Sequence, residues 1–386
     1  MVKVLLDCSS IRDYPSGVGF YTYNLIKGLK EQENQTSFAF EIYRQPSFKH
    51  WLTNNHNLPD ILQDISPLKF LFLPITISNL LGKSAGLFIN RNDAFWQNLD
   101  IIHGTDHYVF PFPYGKKVMT IHDLTFLKFP FYSNKIVKTY TKRIKKCLQW
   151  TDLIITFSEN TKQDIMDYFG VKSDQIAITS EASRYNINYL KDKNIEEIKS
   201  KIDYDFQQPF ILFVSTIEPR KNIINLVKAF NLIKEKYAVN HHLILIGQKG
   251  WEYEKIFAEI ENSNFREKIH YLGYLSDETV AVFYSLADAF VYPSLYEGFG
   301  LPILEAMTLG TPVITSNTSC LPEVAQNAAM YINPDDYESI ATTIYEVISQ
   351  PDLQKDLIIR GKNRAKLYSW ERVAQETLKA YELILP

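Results

Sequence analysis

FILFVSTIEPRKNIINLVKAF, residues 210–230, holds a whole strand-to-helix unit. Residues 210–215 form a short apolar run of the kind buried on both faces of a parallel sheet, and 223–230 carry apolar residues at helical spacing. Between them stand Pro219, Arg220, Lys221 and Asn222, turn formers and cations together. The alternation recurs on both sides. KVLLD (3–7), DIIH (100–103), KVMTI (117–121) and DLIITF (152–157) read as strands of a first half. HLILIG (242–247), IHYLG (269–273), AFVYP (289–293) and PVIT (312–315) continue a second series. Such alternation predicts an α/β protein with two doubly wound domains.

At 386 residues the chain exceeds one ordinary core and suits two domains of roughly 150 to 200 residues each. The polar segment RYNINYLKDKNIEEIKSKIDYDFQQP (184–209) marks the expected boundary, giving domains over 1–190 and 205–368. SWERVAQETLKAYELI (369–384), with Ser369 as N-cap, predicts a terminal helix over 369–386. A hydrophobic content of 46% with 22% charged residues is that of a soluble globular protein, and a net charge of -3 excludes nucleic-acid binding driven by bulk charge.

Three scattered cysteines, Cys8, Cys147 and Cys320, fit a reducing compartment, and the start of the chain lacks a signal-type apolar region, so the expected location is cytoplasmic. SPLKFLFLPITISNLLGKSAGLF (66–88) is broken by Lys69, Pro74, Gly82 and Lys83 and lacks the roughly 20 apolar residues of a spanning helix, so it reads as core or interfacial.

Ligands of open α/β sheets bind beyond the carboxyl ends of strands. In YPSLYEGFGLPILEA (292–306), Gly298 and Gly300 let backbone approach a ligand, Pro302 suits a helix start, and the helix ends at Gly310. The helix N-terminus favours a diphosphate. Glu297 and Glu305 then accept hydrogen bonds from hydroxyls on either side of it, the pattern of a nucleotide sugar; alternatively Glu305 serves the helix dipole and Glu297 is a solvated loop residue. Arg220 and Lys221, at the end of another strand, supply cations that neutralise a diphosphate leaving group.

EPRKN (218–222) followed by YEGFGLPILEAM (296–307), with its E-x7-E spacing, resembles the retaining glycosyltransferases of family 4, which have the GT-B fold. SGVGFYTYNLIKGL, TIHDLTFLKFP and SWERVA extend the resemblance over nearly the whole chain. It implies two Rossmann-like domains facing across a cleft, a terminal helix crossing back to the first domain, and no metal. By motif, Arg220 and Lys221 contact the diphosphate, Glu297 with the backbone of Gly298, Phe299, Gly300 and Leu301 contacts the donor, and Glu305 binds the ribose. Gly273 to Leu275 lie near the base, and His122 lies near the transferred sugar with Asp123 orienting it or holding an acceptor hydroxyl.

SGVGFYTYNL (16–25) has Thr22 where a dinucleotide fingerprint has its third glycine, which counts against a nicotinamide dehydrogenase. By the same resemblance Gly17 and Gly19 approach the donor phosphates or the acceptor; the other reading is an ordinary strand-to-helix turn. His103 and His107 with His122 lack a completing carboxylate cluster for a metal, and His103 is expected on the acceptor side. Some family members carry an arginine where this chain has Ser215 and Thr216, so Arg220 takes more of the phosphate neutralisation.

The resulting expectation is a retaining hexosyltransferase using GDP-mannose or UDP-glucose and a glycan or lipid-linked acceptor in surface polysaccharide assembly. The alternatives are an epimerase of the same fold or a non-catalytic nucleotide-sugar-binding partner. FYSNKIVKTYTKRIKKCLQWT (131–151), basic and without acids, reads either as a solvated helix face or as a contact with an anionic membrane surface.

Overall fold

A computed structural model describes residues 1–12, 17–53, 59–62, 68–89, 93–129 and 134–386, without the side chains of 134–136. Ser16, the start of SPLKF at 66–67 and residues 131–133 of the basic segment lie outside the described residues. The chain forms two compact units, Met1–Glu181 with Trp370–Pro386, and Ala182–Ser369.

The first unit holds seven parallel strands: β1 (Val2–Asp7), β2 (Phe38–Arg44), β3 (Leu68–Phe70), β4 (Ile101–Gly104), β5 (Lys116–Thr120), β6 (Leu153–Thr156) and β7 (Ile176–Ile178), in the order β3-β2-β1-β4-β5-β6-β7. β4, β6 and β1 from Val4 onward are buried, as strands covered by helices on both faces must be. The helix Trp370–Glu382 belongs to this unit and packs on the helix Gly17–Glu31. Gly28 permits that approach, since a Cβ there would lie 3.0 Å from the Trp370 carbonyl oxygen. Tyr381 reaches the sheet and hydrogen-bonds His103 on β4 at 2.7 Å.

The second unit holds β8 (Phe210–Val214), β9 (His242–Ile246), β10 (Ile269–Tyr271), β11 (Ala289–Tyr292), β12 (Val313–Ser316) and β13 (Ala329–Ile332), parallel in the order β10-β9-β8-β11-β12-β13. The division between the units falls ahead of the polar segment 184–209 rather than within it. Arg184 and Tyr185 are already bonded to Asp277 of the second unit, which makes this segment its first layer.

In both sheets the strand order reverses beside the first strand, between β1 and β4 and between β8 and β11. Crevices at such points are where open α/β sheets hold ligands.

Candidate active site

The loops after β8 and β11 meet at the second reversal, joined by the Leu295 N–H donating to the Arg220 carbonyl at 2.9 Å. After β8 a single 3-10 turn, Pro219–Lys221, ends at Asn222, whose φ of 59° is left-handed. Asparagine tolerates that conformation, and its amide fixes the turn by donating to the Pro334 carbonyl at 2.6 Å. Arg220 and Lys221 are thereby delivered to the same carboxylate.

Arg220 Nη1 lies 2.8 Å from Glu297 Oε2, and Lys221 Nζ lies 2.6 Å from Glu297 Oε1. Tyr292 and Ser294 hydroxyls donate to Oε1 as well, at 2.9 and 2.5 Å, and the Glu297 N–H donates to Ser319 Oγ at 3.1 Å. Arg220 also meets Glu218 and the Tyr296 carbonyl. All these groups are largely removed from water. Burial alone would push the Glu297 carboxyl up, yet Arg220 and then Lys221 hold it down to about 2. Burial and the charge of Arg220 pull the Lys221 ammonium down, against the opposing pull of Glu297.

Four residues after Glu297 the helix Leu301–Leu309 begins. Its N-cap, Gly300, has φ 100°, a left-handed conformation that favours glycine, and a Cβ there would also press the Leu321 methyl at 2.8 Å. No side chain caps this helix start; Pro302 has no N–H and the Ile303 N–H donates to the Gly300 carbonyl at 3.1 Å, so the positive end of the helix, more than a row of open amides, is what favours an anion. Pro302 occupies the second helical position, Gly298 is buried, Leu301 is half-buried, and Phe299 packs edge-on against Tyr368.

Glu305 stands in the second turn, not the first, and a bare dipole role gives way to a specific network. Arg184 Nε donates to Glu305 Oε1 at 2.7 Å, the Tyr284 hydroxyl donates to Oε2 at 3.3 Å, and Arg184 Nη1 binds Asp277 at 2.8 Å. Sequence reasoning placed Arg184 in a linker and missed it, since nothing local announces a partner so distant along the chain. Gly273 has φ 70°, with its carbonyl accepting from the Gly247 N–H at 2.8 Å; Leu275, two residues on, is half-buried.

The first unit gathers its own cluster beyond β1, β4 and β5. Thr105 Oγ1 donates to the Asp7 carbonyl at 2.9 Å, and His122 Nε2 donates to the Thr105 carbonyl at 2.9 Å. His107 places Nδ1 2.9 Å from the Asp106 carboxylate and Nε2 3.1 Å from the Asp123 carbonyl. Both partners only accept, an arrangement that favours the doubly protonated ring. Burial opposes that charge, but Asp106 outweighs it and the pKa is raised. Burial and then the His107 charge push His122 down to about 4, which makes it a neutral ring with Nδ1 as acceptor.

Gly17 starts the helix Gly17–Glu31 with open space at its Cβ position, and Gly19 is buried within it. Thr22, in place of a third glycine, hydrogen-bonds the Val18 carbonyl and Thr105. His103 does not line an acceptor surface. It is fully buried between Tyr381 and Thr120, each 2.7 Å away, and burial drives its pKa down to about 3. Among the described residues no group of three or more His, Cys, Asp or Glu is placed to hold a metal, and no helix is long and apolar enough to cross a membrane.

Residues 194–364 match the family described as Glycosyl transferases group 1, and residues 15–180 match Glycosyltransferase Family 4. The chain is 35% identical over 389 aligned positions to the O-antigen chain mannosyltransferase B of Escherichia coli, covering 99% of this chain and 100% of the relative. The chain belongs to the glycosyl transferases group 1 family. The glycosyltransferase is also 28% identical to the O-antigen chain mannosyltransferase RfbU of Salmonella typhimurium, over 70% of each chain.

Solved structures similar to this glycosyltransferase include sucrose-phosphate synthase from Thermosynechococcus elongatus, with a TM-score of 0.72 at 20% identity, covering 99% of this chain and 98% of that one. HepE from Anabaena, solved with UDP and glucose, superposes with a TM-score of 0.70 at 15% identity, over 99% and 100% of the two chains. These likenesses, with the two parallel sheets, give the glycosyltransferase the two-domain α/β architecture of the GT-B fold.

Proposed function

We propose that this glycosyltransferase moves a hexosyl group, with retention, from a nucleotide-diphosphate sugar to a glycan or lipid-linked glycan during surface polysaccharide assembly. One observation carries the reading: Arg220, Lys221 and Glu297 converge within 2.8 Å beside the uncapped start of the helix Leu301–Leu309. Two cations and a helix N-terminus stabilise negative charge as a diphosphate departs, and a fixed carboxylate accepts sugar hydroxyls. Glu305 would take the ribose, Gly273 and Leu275 the base, and the backbone of Gly298, Phe299, Gly300 and Leu301 the sugar and phosphates. His122, neutral and with a free acceptor lone pair, would face the transferred sugar, and Gly17 and Gly19 the phosphates or acceptor. The chain's own cations do the work of a metal in this scheme.

The departing diphosphate takes the acceptor's proton on the same face, so no protein base is required. Mannosyltransferase relatives favour GDP-mannose, while HepE, solved with UDP and glucose, keeps UDP-glucose in view. The same reading places the protein in the cytoplasm, its basic segment 131–151 touching the anionic inner leaflet.

A thermal-shift screen against GDP-, UDP-, ADP- and dTDP-sugars tests it, because a ligand bound by the folded state raises Tm. GDP-mannose or UDP-glucose should give the largest rise. Nucleoside diphosphate should then appear only when an acceptor is added; turnover without acceptor would favour an epimerase, and binding without any turnover a non-catalytic partner.

A further inference from the structure

Exposed apolar surface is concentrated in one part of the first unit. Among the described residues 17 large hydrophobic side chains are exposed, and eight of them fall between Phe48 and Phe88. Leu80 is 78% exposed, Phe72 68% and Leu87 67%. Single exposed hydrophobics are ordinary, whereas a continuous patch marks a surface that meets something apolar.

The elements that bear these side chains are joined to one another. The Trp51 ring lies 6.0 Å from both Phe48 and Phe72, which ties the helix Phe48–Leu52 to the end of β3. That helix packs on the helix Ile75–Leu81, which bears Leu80 and runs directly into the 3-10 segment Gly82–Phe88 bearing Leu87 and Phe88.

Lysines outnumber acids beside it, with exposed Asp60 and Asp93 at its margins. Residues 68–89 contain exposed Lys69 and Lys83 and no Asp or Glu. In the helix Asn134–Cys147, Lys138, Lys142 and Lys145 recur at i, i+4 and i+7 on the exposed face, while Ile144 and Cys147 enter the core. Lys146 joins this helix to the patch by donating to the Asn79 and Leu80 carbonyls at 2.6 and 2.5 Å, the last turn of the helix Ile75–Leu81.

We propose that this surface is a membrane anchor: Phe72, Leu80, Leu87 and Phe88 enter the acyl boundary of an anionic leaflet while the lysines meet its headgroups. The proposal goes beyond the electrostatic contact suggested for 131–151 by adding apolar insertion from a separate stretch of chain, and it does not depend on the identity of the donor. A second copy of the chain is the poorer occupant, since two such faces bring lysines against lysines. A leaflet of phosphatidylglycerol satisfies both the apolar patch and the lysines beside it.

Flotation of the full chain with phosphatidylcholine vesicles, with and without phosphatidylglycerol, tests this at low and high salt. The protein should float with the anionic vesicles, and a fraction should persist in high salt, because screening weakens exposed charges but not insertion. Leu80→Asn with Leu87→Asn should lower partitioning at least about tenfold and remove the salt-resistant fraction. Lys138→Gln, Lys142→Gln and Lys145→Gln together should remove the salt-sensitive part. Trp51 emission in the parent, taken as the difference from Trp51→Phe, should be quenched by brominated lipid, a readout that needs no patch variant to fold. Absence of floating or of quenching, equal floating of the Leu80/Leu87 variant, or a parent dimer that this variant converts to monomer would each overturn the anchor. Donor-induced thermal shifts report separately, so failure of nucleotide-sugar binding would leave the vesicle result standing.

Discussion

Lys221 and Glu297, 76 residues apart in sequence, share a 2.6 Å charge-assisted hydrogen bond in a site where only 6% of the lysine side chain is exposed. Removing one member of such a buried pair is costly, because the partner charges remain in low dielectric. Glu297→Ala leaves Lys221 and Arg220 facing each other and should lower stability by about 3 kcal/mol or more. Denaturant titration measures this; a parent-like midpoint would show that water or rearrangement compensates.

The same pairing predicts a pH dependence. The Glu297 carboxyl is held at about 2 in the fold, below its ordinary 4.5, so the unfolded chain binds its proton first. Its contribution is therefore full above about pH 4.5 and is lost as pH falls from there towards 2. The stability gap between parent and Glu297→Gln should shrink across that window, and a constant gap would contradict it.

Turnover should respond to the cations. Arg220→Ala or Lys221→Ala is expected to raise the barrier by more than about 2 kcal/mol, roughly thirtyfold in kcat. Near-parental kcat in both variants would remove them from the reaction.

Arg184 is the cation that keeps Glu305, only 4% exposed, satisfied. Arg184→Met should cost about 3 kcal/mol and reduce the donor-induced rise in Tm. Adding Glu305→Gln should recover part of the stability, since the stranded charge disappears. Strict additivity of the two changes would mean that the pair is not coupled.

His122 gives stability a slope with pH that an ordinary surface histidine does not. Burial and His107 keep its pKa at about 4, so between pH 6.5 and 4 the unfolded chain takes up a proton that the fold refuses. The parent's advantage over His122→Gln should narrow as pH falls through that range in melting experiments. Asp7 and Glu181, pushed up by burial to about 6 and about 8, act in the other sense, which is why the difference between variants is the useful readout.

The strands, the helix start at Gly300 and the placing of EPRKN and YEGFG just after strands were legible because each is written locally, in apolar runs, glycines and residues at strand ends. Contacts between distant segments were not. Arg184 looked like part of a polar linker, and only folding brings it to Glu305 and Asp277. His103 looked like a ligand-facing residue at a strand end, yet Tyr381, 278 residues later, seals it into the core. Tyr292 and Ser294 lay inside the quoted motif, and their hydroxyls could have been read as partners for Glu297. The left-handed Asn222 also had a signal, since asparagine after a cationic turn is suited to that conformation.

The helix Trp370–Glu382 completes the first unit although the whole of the second precedes it in the chain. On the ribosome, β4 must therefore wait with His103 lacking its Tyr381 partner and the Gly28 face of the helix Gly17–Glu31 bare until residues 182–369 have been made. The intervening 188 residues from Ala182 to Ser369 form a compact unit of their own, so the nascent chain should acquire its middle before its beginning.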